Sequence, residues 1–406
     1  MKPSADIALF GATGFTGALV ASALGEGAPP GAKLVLAGRS REKLETVRAQ
    51  LPTGARFELL VADSADPASI ERLAGSSRVV CTTVGPYAKQ GLSLVQACAA
   101  AGTHYADLSG EVPFIRASID AAHATAERTG AKIVHACGFD SVPSDLGVWN
   151  LHQVLRQRGA SGRLKEVRFV LETVSGAFSG GTIASMLYLM ETARSDKALR
   201  RLLVDPYSLS PQREREPDLG PQPDAAGVAY DAQLGRWTAP FLMAAINTRI
   251  VRRTNALLDY PYGRELRYSE VMATGRGLKG LTTSAGLTVG LGGLITAMLF
   301  KPARQAVAHF LPKPGEGPNA EKRRRGHFRI RLLAQTEEGA SVTGLVAGQR
   351  DPGYDETAQM LSQSALALAF DGDQLPPRAG VLTPATALGS RLVERLKGVG
   401  MTFEAS

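Results

Sequence analysis

The first 140 residues alternate between short apolar runs and stretches of helical periodicity. The apolar runs predict five buried strands, at Ile7–Phe10, Leu34–Ala37, Phe57–Val61, Val79–Val84 and Lys132–Ala136. The stretches between them predict helices, at Gly14–Leu24, Arg41–Gln50, Pro67–Ala74, Leu92–Ala101 and Pro113–Arg128. Short βα repeats with apolar strands are typical of a parallel sheet that is covered on both faces. The pattern therefore predicts an α/β domain.

The pattern changes after residue 140, where longer alternating runs replace the βα repeats. "LKEVRFVLETVSG" predicts one long strand, and "HFRIRLLAQTEEGASVTGLVAGQ" predicts a hairpin with a Glu-Glu-Gly turn. A helix near Gly181–Leu203, a loop at Asp205–Pro223, and late helices at Glu356–Ala369 and Ser390–Leu396 complete the pattern. The mixture predicts a second domain of the α+β class.

A glycine-rich stretch, "GATGFTG", follows the first predicted strand and opens the first predicted helix. Glycine permits a tight turn and lets backbone N–H groups approach a pyrophosphate at the positive end of a helix. A second strand follows about twenty residues later, as a dinucleotide site requires. The stretch thus predicts a Rossmann-type domain, with candidate cofactor-binding residues Gly11, Ala12, Thr13, Gly14, Phe15, Thr16 and Gly17.

The end of the second predicted strand indicates which dinucleotide is bound. NAD sites usually carry an acidic residue there, whereas this chain has Arg39 and Ser40. A guanidinium binds a 2′-phosphate through charge-assisted hydrogen bonds, so NADP(H) is the expected cofactor. Arg41 fits a solvated helix start. Asp63, after the third strand, is a candidate for the adenine or for a helix cap.

Two loops follow later strands, where ligands of such sheets bind. "TTVGPYAKQG" (Thr82–Gly91) is expected to border the nicotinamide through Val84, Gly85 and Pro86. "HACGFDSVPSD" (His135–Asp145) turns into the second domain. A third stretch, "GTHYADLSGE", brings several polar side chains together in sequence: His104, Tyr105, Asp107 and Glu111.

Composition narrows the class of partner. The 406 residues are 44% hydrophobic, enough for two or three cores, and the net charge of +8 favours an anionic partner. That partner is a nucleotide, an anionic membrane surface or an acidic carrier protein; nucleic acid is not expected, because aromatic residues are 6% and no binding module is present. Three cysteines without CxxC spacing indicate neither disulfides nor zinc, and no metal is expected. With a strand beginning within six residues of the start, a cytoplasmic location is expected.

The motifs "GATGFTG", "AGRS", "VGPY", "ACAAAGTHYADLSGE" and "CGFDSVPSDLG" resemble the saccharopine dehydrogenase-like oxidoreductases, as do "DPGYDETAQMLSQSALALAFD" and "GVLTPATALG". Within that family the chain is most similar to the trans-acting enoyl reductases. The resemblance implies an NADP-binding domain over residues 1–140, completed by 350–406, and a substrate or dimerisation domain over 141–349. It also implies reduction of a lipid or polyketide intermediate in lipid or glycolipid biosynthesis.

The resemblance also implies catalytic residues. It places Tyr87 and Asp107 near the substrate and Asp140 at the turn into the second domain. Enoyl reduction requires a group that polarises the carbonyl and a proton for the α-carbon; Tyr87 and His104 are the candidate donors, which Asp140 would orient. The structural alternatives stay open: Asp140 as a helix cap, Tyr87 as loop packing and Asp107 as part of a turn.

Two other functions are alternatives. A saccharopine-type amino-acid dehydrogenase would need arginines in the cleft for a dicarboxylate, and "TVGPY" and "GFDSVPSD" replace the "LLPY" and "GLDPG" of saccharopine-forming enzymes. The second alternative is a nucleotide-binding, lipid-associated scaffold without turnover. Such a protein would bind NADPH, but no acyl substrate would oxidise the bound coenzyme.

An uncharged stretch, Leu281–Phe300, lies between Lys279 and Lys301. As a helix it would measure about 30 Å, the thickness of a bilayer core. A single span would put the two parts of the nucleotide domain on opposite sides, so spanning is not expected. Two alternatives remain: a buried core or homodimer helix, or a segment that lies on the plasma membrane. The nearby basic residues then contact headgroups or a carrier, or form a solvated loop: Arg304, Lys313 and Lys322–Arg325.

Overall fold

The computed structural model describes residues 3–176, 180–300 and 317–406, so Lys301, Arg304 and Lys313 lie outside the described residues. The strands are β1 (Ala5–Phe10), β2 (Leu34–Gly38), β3 (Phe57–Val61), β4 (Ser77–Thr82), β5 (His104–Asp107), β6 (Lys132–Val134), β7 (Leu164–Ser175), β8 (Ala229–Asp231), β9 (Arg236–Pro240), β10 (Arg267–Gly275), β11 (His327–Thr336), β12 (Ser341–Gly348), β13 (Gly380–Leu382) and β14 (Thr402–Ala405).

The helices along the same residues are α1 (Phe15–Gly27), α2 (Arg41–Gln50), α3 (Pro67–Ser76), α4 (Tyr87–Gln90), α5 (Leu92–Ala101), α6 (Val112–Thr129), α7 (Val142–Gln157), α8 (Gly180–Ser195), α9 (Lys197–Val204), α10 (Ala244–Leu257), α11 (Gly277–Leu299), α12 (Ala320–Arg324), α13 (Asp355–Phe370) and α14 (Pro384–Gly398).

The first sheet has seven strands in the order β13-β6-β5-β4-β1-β2-β3, and every neighbouring pair is parallel. The interior strand β1 lies between β2 and β4, so that Ile7 is opposite both Leu34 and Val79. All carboxyl ends therefore meet at one edge, here called the carboxyl edge. The predicted α/β class is confirmed, and β5 is an addition, because its four residues begin with His104 and end with Asp107 and so form no apolar run.

The second sheet also has seven strands, in the order β14-β12-β11-β7-β10-β9-β8. Only β7 and β10 pair in parallel; the other neighbours are antiparallel. The predicted hairpin is present as β11 and β12, with Gln335 opposite Ser341. The helix predicted near Gly181–Leu203 is divided into α8 and α9 at Asp196, whose side chain caps α9. The second domain is thus of the expected mixed type.

Residues after 350 are divided between the two sheets. In the first domain, α13 packs on α1, where Ser362 Oγ donates to the Val20 carbonyl at 3.3 Å, and β13 pairs with β6. The last strand belongs to the second sheet, because β14 pairs with β12 and its buried Phe403 lies opposite Val346. The expectation that all of 350–406 completes the first domain is therefore wrong for β14.

Candidate active site

The glycine stretch forms the turn from β1 into α1 at the carboxyl edge. Gly11 has a φ of +90°, and its carbonyl accepts the N–H of Gly14 at 3.0 Å. A Cβ on Gly17 would lie 2.1 Å from the Gly11 carbonyl oxygen, so only glycine lets α1 approach this closely. Gly14 caps α1 without a side-chain acceptor, which leaves the first-turn N–H groups of Phe15 and Thr16 available. The turn therefore fits a diphosphate.

The side chains within this stretch have other contacts. Ala12 is buried and its N–H points to the Ala37 carbonyl at 3.4 Å, so its backbone donor is engaged. The Thr13 methyl lies beside Gly38. The Phe15 ring contacts the Tyr354 ring edge-on, with centroids 5.2 Å apart. Ala12 can thus contact a cofactor only through its backbone. Phe15 can do so only through its backbone or the outer face of its ring.

Arg323 is a cation at this turn that sequence reasoning did not place there. Its guanidinium carbon lies 5.2 Å from the Phe15 ring centroid, and its Nε donates to Asp355 at 2.9 Å. The flanking Lys322 and Arg324 are exposed and make no ion pair with the described residues. No local signal could reveal this, because Arg323 is more than 300 residues from Phe15 in sequence.

The side chains that follow β2 differ in whether another residue of the chain binds them. Arg39 is exposed and makes no hydrogen bond or ion pair with any part of the chain that the structure describes. Ser40 caps α2 by accepting the N–H of Lys43 at 3.3 Å, and Arg41 pairs with Glu45 at 3.2 Å. Arg39 is therefore a cation that remains free for a 2′-phosphate at this end of the sheet.

Asp63, after β3, serves a turn. Its Oδ1 accepts the N–H of Ala65 at 3.0 Å, while its own N–H donates to Ser69 Oγ at 3.0 Å. One carboxylate oxygen remains for a ligand.

The loop after β4 is held against the glycine turn. Thr83 Oγ1 donates to the Gly11 carbonyl at 3.2 Å, and the N–H of Val84 donates to Thr82 Oγ1 at 3.2 Å. A Cβ on Gly11 would lie only 2.8 Å from a Val84 methyl. Val84, and with it Gly85 and Pro86, consequently lies beside the glycine turn, as a nicotinamide-bordering loop would require.

Tyr87 does not fit the expected role of proton donor. It is buried, its hydroxyl donates to the Thr82 carbonyl at 3.2 Å, and that oxygen accepts the N–H of Leu108 at 3.2 Å. Burial, followed by the negative charge of Asp107, raises the pKa of the phenol well above its usual value. The single O–H is thus engaged, and Tyr87 joins two loops of the carboxyl edge instead.

His104 lies at the wrong end of the sheet. It begins β5, opposite Val79, and its Nδ1 accepts the N–H of Lys132 at 3.0 Å. Asp107, which ends the same strand, is three residues and about 10 Å further on. Burial, followed by Lys132 and Arg78, lowers the pKa of His104 to about 4. The expectation that His104 donates a proton to the substrate is wrong.

Asp107 is fully buried and has four hydrogen-bond partners. Oδ2 lies 2.9 Å from the Tyr105 hydroxyl and 2.7 Å from His135 Nδ1, while Oδ1 accepts the N–H groups of Ser109 and Ala136 at 2.9 and 3.1 Å. With both oxygens engaged, Asp107 cannot contact a substrate. Its role is the structural alternative: it closes the turn after β5 and places a fixed negative charge beneath the carboxyl edge.

Glu111 connects the edge to the second domain. Its two oxygens accept the N–H groups of Tyr87 and Ala88, both at 2.9 Å, and Ser185 Oγ on α8 donates to Oε1 at 2.6 Å. The carboxylate therefore caps the short helix α4 and ties it to α8. Its partners are 23 to 74 residues away, so the sequence could not indicate this contact.

Asp140 differs from these carboxyls because none of the described residues donates a hydrogen bond to it. It is half-buried, and α7 is capped by the next residue, Ser141, so Asp140 is not the helix cap. A Cβ on Gly110 would lie 3.9 Å from Asp140 Oδ2 and 3.6 Å from the Met243 methyl. Burial, followed by the charge of Asp107, raises the pKa of Asp140 to about 7. This carboxyl is therefore partly protonated near neutral pH, and no described residue binds its proton.

Known proteins share both the sequence and the fold. The saccharopine dehydrogenase NADP binding domain matches residues 7–134. A Mycobacterium tuberculosis protein named for trans-acting enoyl reduction is 48% identical over 409 residues, 99% of this chain and 97% of the relative. The trans-acting enoyl reductase of Mycobacterium ulcerans is 44% identical over 413 residues, with the same two coverages.

The solved structures show the same fold at greater distance. Saccharopine dehydrogenase (L-Glu forming) from Saccharomyces cerevisiae has a TM-score of 0.54 at 12% identity, with 99% of both chains covered. The glycine turn and the free Arg39 fit the cofactor of the matched domain, NADP(H). The chain therefore belongs to the saccharopine dehydrogenase-like family, with the trans-acting enoyl reductases, and is an NADP-dependent oxidoreductase.

Proposed function

We propose that this protein uses NADPH to reduce the carbon–carbon double bond of an α,β-unsaturated acyl group in a lipid or polyketide intermediate. The name of its relatives supports enoyl reduction. The observation that carries the proposal is the free carboxyl of Asp140 beside Gly110 at the carboxyl edge, with a pKa of about 7. When bound, the reduced coenzyme supplies the hydride that such a reduction needs.

In this proposal the chain first fixes the coenzyme. The free amides of Phe15 and Thr16 hold the diphosphate at the start of α1, and Arg39 holds the 2′-phosphate. The loop from Val84 to Pro86 borders the nicotinamide. Positioning of this kind supplies much of the rate enhancement of a two-substrate reaction, because the reacting atoms are held in contact.

Asp140 then supplies the proton for the α-carbon. At pH 7 the Asp140 carboxyl is protonated in about half of the protein molecules. The proton lies on an oxygen that no described residue binds. Burial, followed by the negative charge of Asp107, keeps it there by disfavouring ionisation of this carboxyl. An acid whose pKa is close to the working pH is the most effective proton donor.

The second domain does not favour a dicarboxylate amino acid. Its helix α10 buries Arg249, Arg252 and Arg253, and each donates to backbone carbonyls. Arg253, for example, donates to the carbonyls of Leu209 and Val381, both at 2.6 Å. These arginines hold the fold and are not available to a substrate, which favours an acyl substrate over a saccharopine-type one.

The test measures NADPH oxidation with enoyl thioesters of increasing chain length, free or attached to a carrier protein. Asp140→Asn should lower kcat about 100-fold and leave NADPH affinity unchanged, because one general acid is removed. Wild-type kcat should fall above pH about 7, and the variant should not show that fall. Asp145→Asn is the control, since the Asp145 carboxyl also has a pKa of about 7 but is bound by Thr254 and Ala385.

Two results would contradict the proposal. If NADPH binds but no enoyl thioester oxidises it, the chain is a nucleotide-binding scaffold. If Asp140→Asn keeps both the wild-type rate and the wild-type pH profile, Asp140 is not the acid.

A further inference from the structure

The longest helix, α11, exposes an apolar face. Among the described residues it is the one helix long and apolar enough to cross a membrane, yet only 11% of its apolar stretch is buried. Leu278 and Val289 are 75% and 74% exposed, and Leu287 is also exposed. Soluble monomers rarely leave an apolar helix of this length so exposed, so its exposed side indicates a partner surface.

One stripe of α11 is attached to the second sheet. Gly280 and Ser284 are buried, Ser284 Oγ donates to the Thr238 carbonyl, and the Gly280 carbonyl accepts from Thr274 Oγ1 at 2.9 Å. The strands on either side of α11 in sequence, β10 and β11, are both neighbours of β7. The chain therefore returns to the same sheet after α11, which favours contact with a surface over a single crossing.

Two threonines on the exposed face of α11 are compatible with lipid. Thr282 Oγ1 donates to the Lys279 carbonyl at 3.0 Å, and Thr296 Oγ1 donates to the Gly292 carbonyl at 2.7 Å. Each hydroxyl proton is thus bonded within the helix, which reduces the cost of removing it from water. At the start of α11, Arg276 and Lys279 are exposed and have no ion pair among the described residues, so they can meet anionic headgroups.

Helix α8 joins this surface to the active site. It packs against α11, and its half-buried apolar residues include Met186, Leu187, Leu189 and Met190. At the other side of α8, Ser185 donates to Glu111, and the Tyr188 ring lies 4.3 Å from Lys89 Nζ. Glu111 binds the N–H groups of Tyr87 and Ala88, and Lys89 belongs to the same short helix, so both contacts reach α4, which follows the loop from Val84 to Pro86. An acyl chain lying along α8 would therefore end at the carboxyl edge.

We propose that the exposed face of α11 binds the surface of an anionic lipid bilayer, such as the cytoplasmic face of the plasma membrane. From there α8 guides a lipid-borne acyl chain to Asp140. The second step rests on the proposed enoyl reduction, whereas the docking of α11 does not. The lipid occupant is favoured over a second copy of the chain by the free cations Arg276 and Lys279, since a second copy would place like charges on the same contact.

The first test is flotation with vesicles of phosphatidylcholine and phosphatidylglycerol, without substrate. Wild-type protein should float with anionic vesicles and about tenfold less with phosphatidylcholine alone. The double variant Leu287→Asp/Val289→Asp should lose flotation about tenfold or more, because two apolar contacts become charged. Val204→Asp, at a 76% exposed position of α9, is the matched control and should float like wild type.

The second test separates docking from chemistry. The double variant should reduce a short, water-soluble enoyl thioester at the wild-type rate and lose at least about tenfold on a long-chain enoyl lipid presented in vesicles. Wild-type protein that reduces the short thioester without floating would overturn the docking. Wild-type protein that floats without reducing any thioester would overturn the enoyl reduction and leave the docking standing. A lipid-free dimer that the aspartates dissociate, without flotation, would assign α11 to a second copy.

Discussion

At the scale of single residues, the carboxyl edge carries two kinds of charged group: some are bound by other residues and hold the fold, and others have no partner among the described residues. Asp107 has four hydrogen-bond partners, whereas Asp140 has none among the described residues. Arg41 is paired with Glu45, whereas Arg39 is unpaired. A group without a protein partner, positioned where a ligand is expected, has its hydrogen-bonding capacity left for that ligand.

Arg39 provides the residue-scale prediction. Arg39→Ala should raise the dissociation constant of NADPH about 10- to 100-fold, because hydrogen bonds to charged groups contribute about 1.5–3 kcal/mol. The affinity for NADH, which lacks the 2′-phosphate, should change little. Titration calorimetry measures both, and Arg41→Ala is the control because that guanidinium is already paired. Equal losses for the two coenzymes would show that Arg39 does not select the phosphate.

How much of the site the sequence predicts depends on the distance between partners along the chain. The glycine turn and Arg39 depend on neighbours within one βα unit, so their local pattern indicates them. Tyr87 and His104 were misassigned because their partners, Leu108 and Lys132, lie 21 and 28 residues away. A motif gives the residue types, and only the register of β4, β5 and β6 gives the direction each side chain faces.

At the scale of elements, the approach of α1 to the glycine turn fixes the coenzyme site. The five strands predicted from apolar runs are present, because burial on both faces leaves a clear signal. Strands β5, β8 and β13 have three or four residues and gave no such signal. Their positions are set by pairing with distant strands, which no local pattern records.

Gly17→Ala tests this approach. The new methyl would lie 2.1 Å from the Gly11 carbonyl oxygen, so α1 must move away and NADPH affinity should fall at least about tenfold. Gly14→Ala is the matched control, because its methyl would lie 3.4 Å from the same oxygen and its φ is −80°. Calorimetry gives the affinity and thermal unfolding reports the stability. A wild-type affinity in Gly17→Ala would show that the close approach is not required.

At the scale of the whole molecule, buried carboxyls join elements that are separate along the chain. Asp145 on α7 accepts the hydroxyl of Thr254 on α10 and, at 2.8 Å, the N–H of Ala385 on α14. Glu270 on β10 accepts from Asn247 on α10 at 2.9 Å. Burial raises the pKa of each carboxyl to about 7. Both groups are therefore protonated in the folded protein at a pH where the unfolded chain has ionised them.

These carboxyls predict a pH-dependent stability. Their contribution is complete below pH about 4, where folded and unfolded chains are both protonated, and is lost as the pH rises to about 7. The free energy of unfolding should therefore fall by a few kcal/mol between pH 5 and pH 8. Urea unfolding at several pH values measures this, and Asp145→Asn should flatten the profile. A stability that rises over the same interval would contradict the raised pKa values.

The packing of α13 against α1 has a consequence for biosynthesis. The helix that covers α1 is translated more than 300 residues later, so a nascent chain carries its nucleotide-binding half with an uncovered apolar surface until that helix has been synthesised. Truncated messages would thus yield insoluble fragments, and a chaperone that shields the emerging N-terminal half would raise the yield of active enzyme.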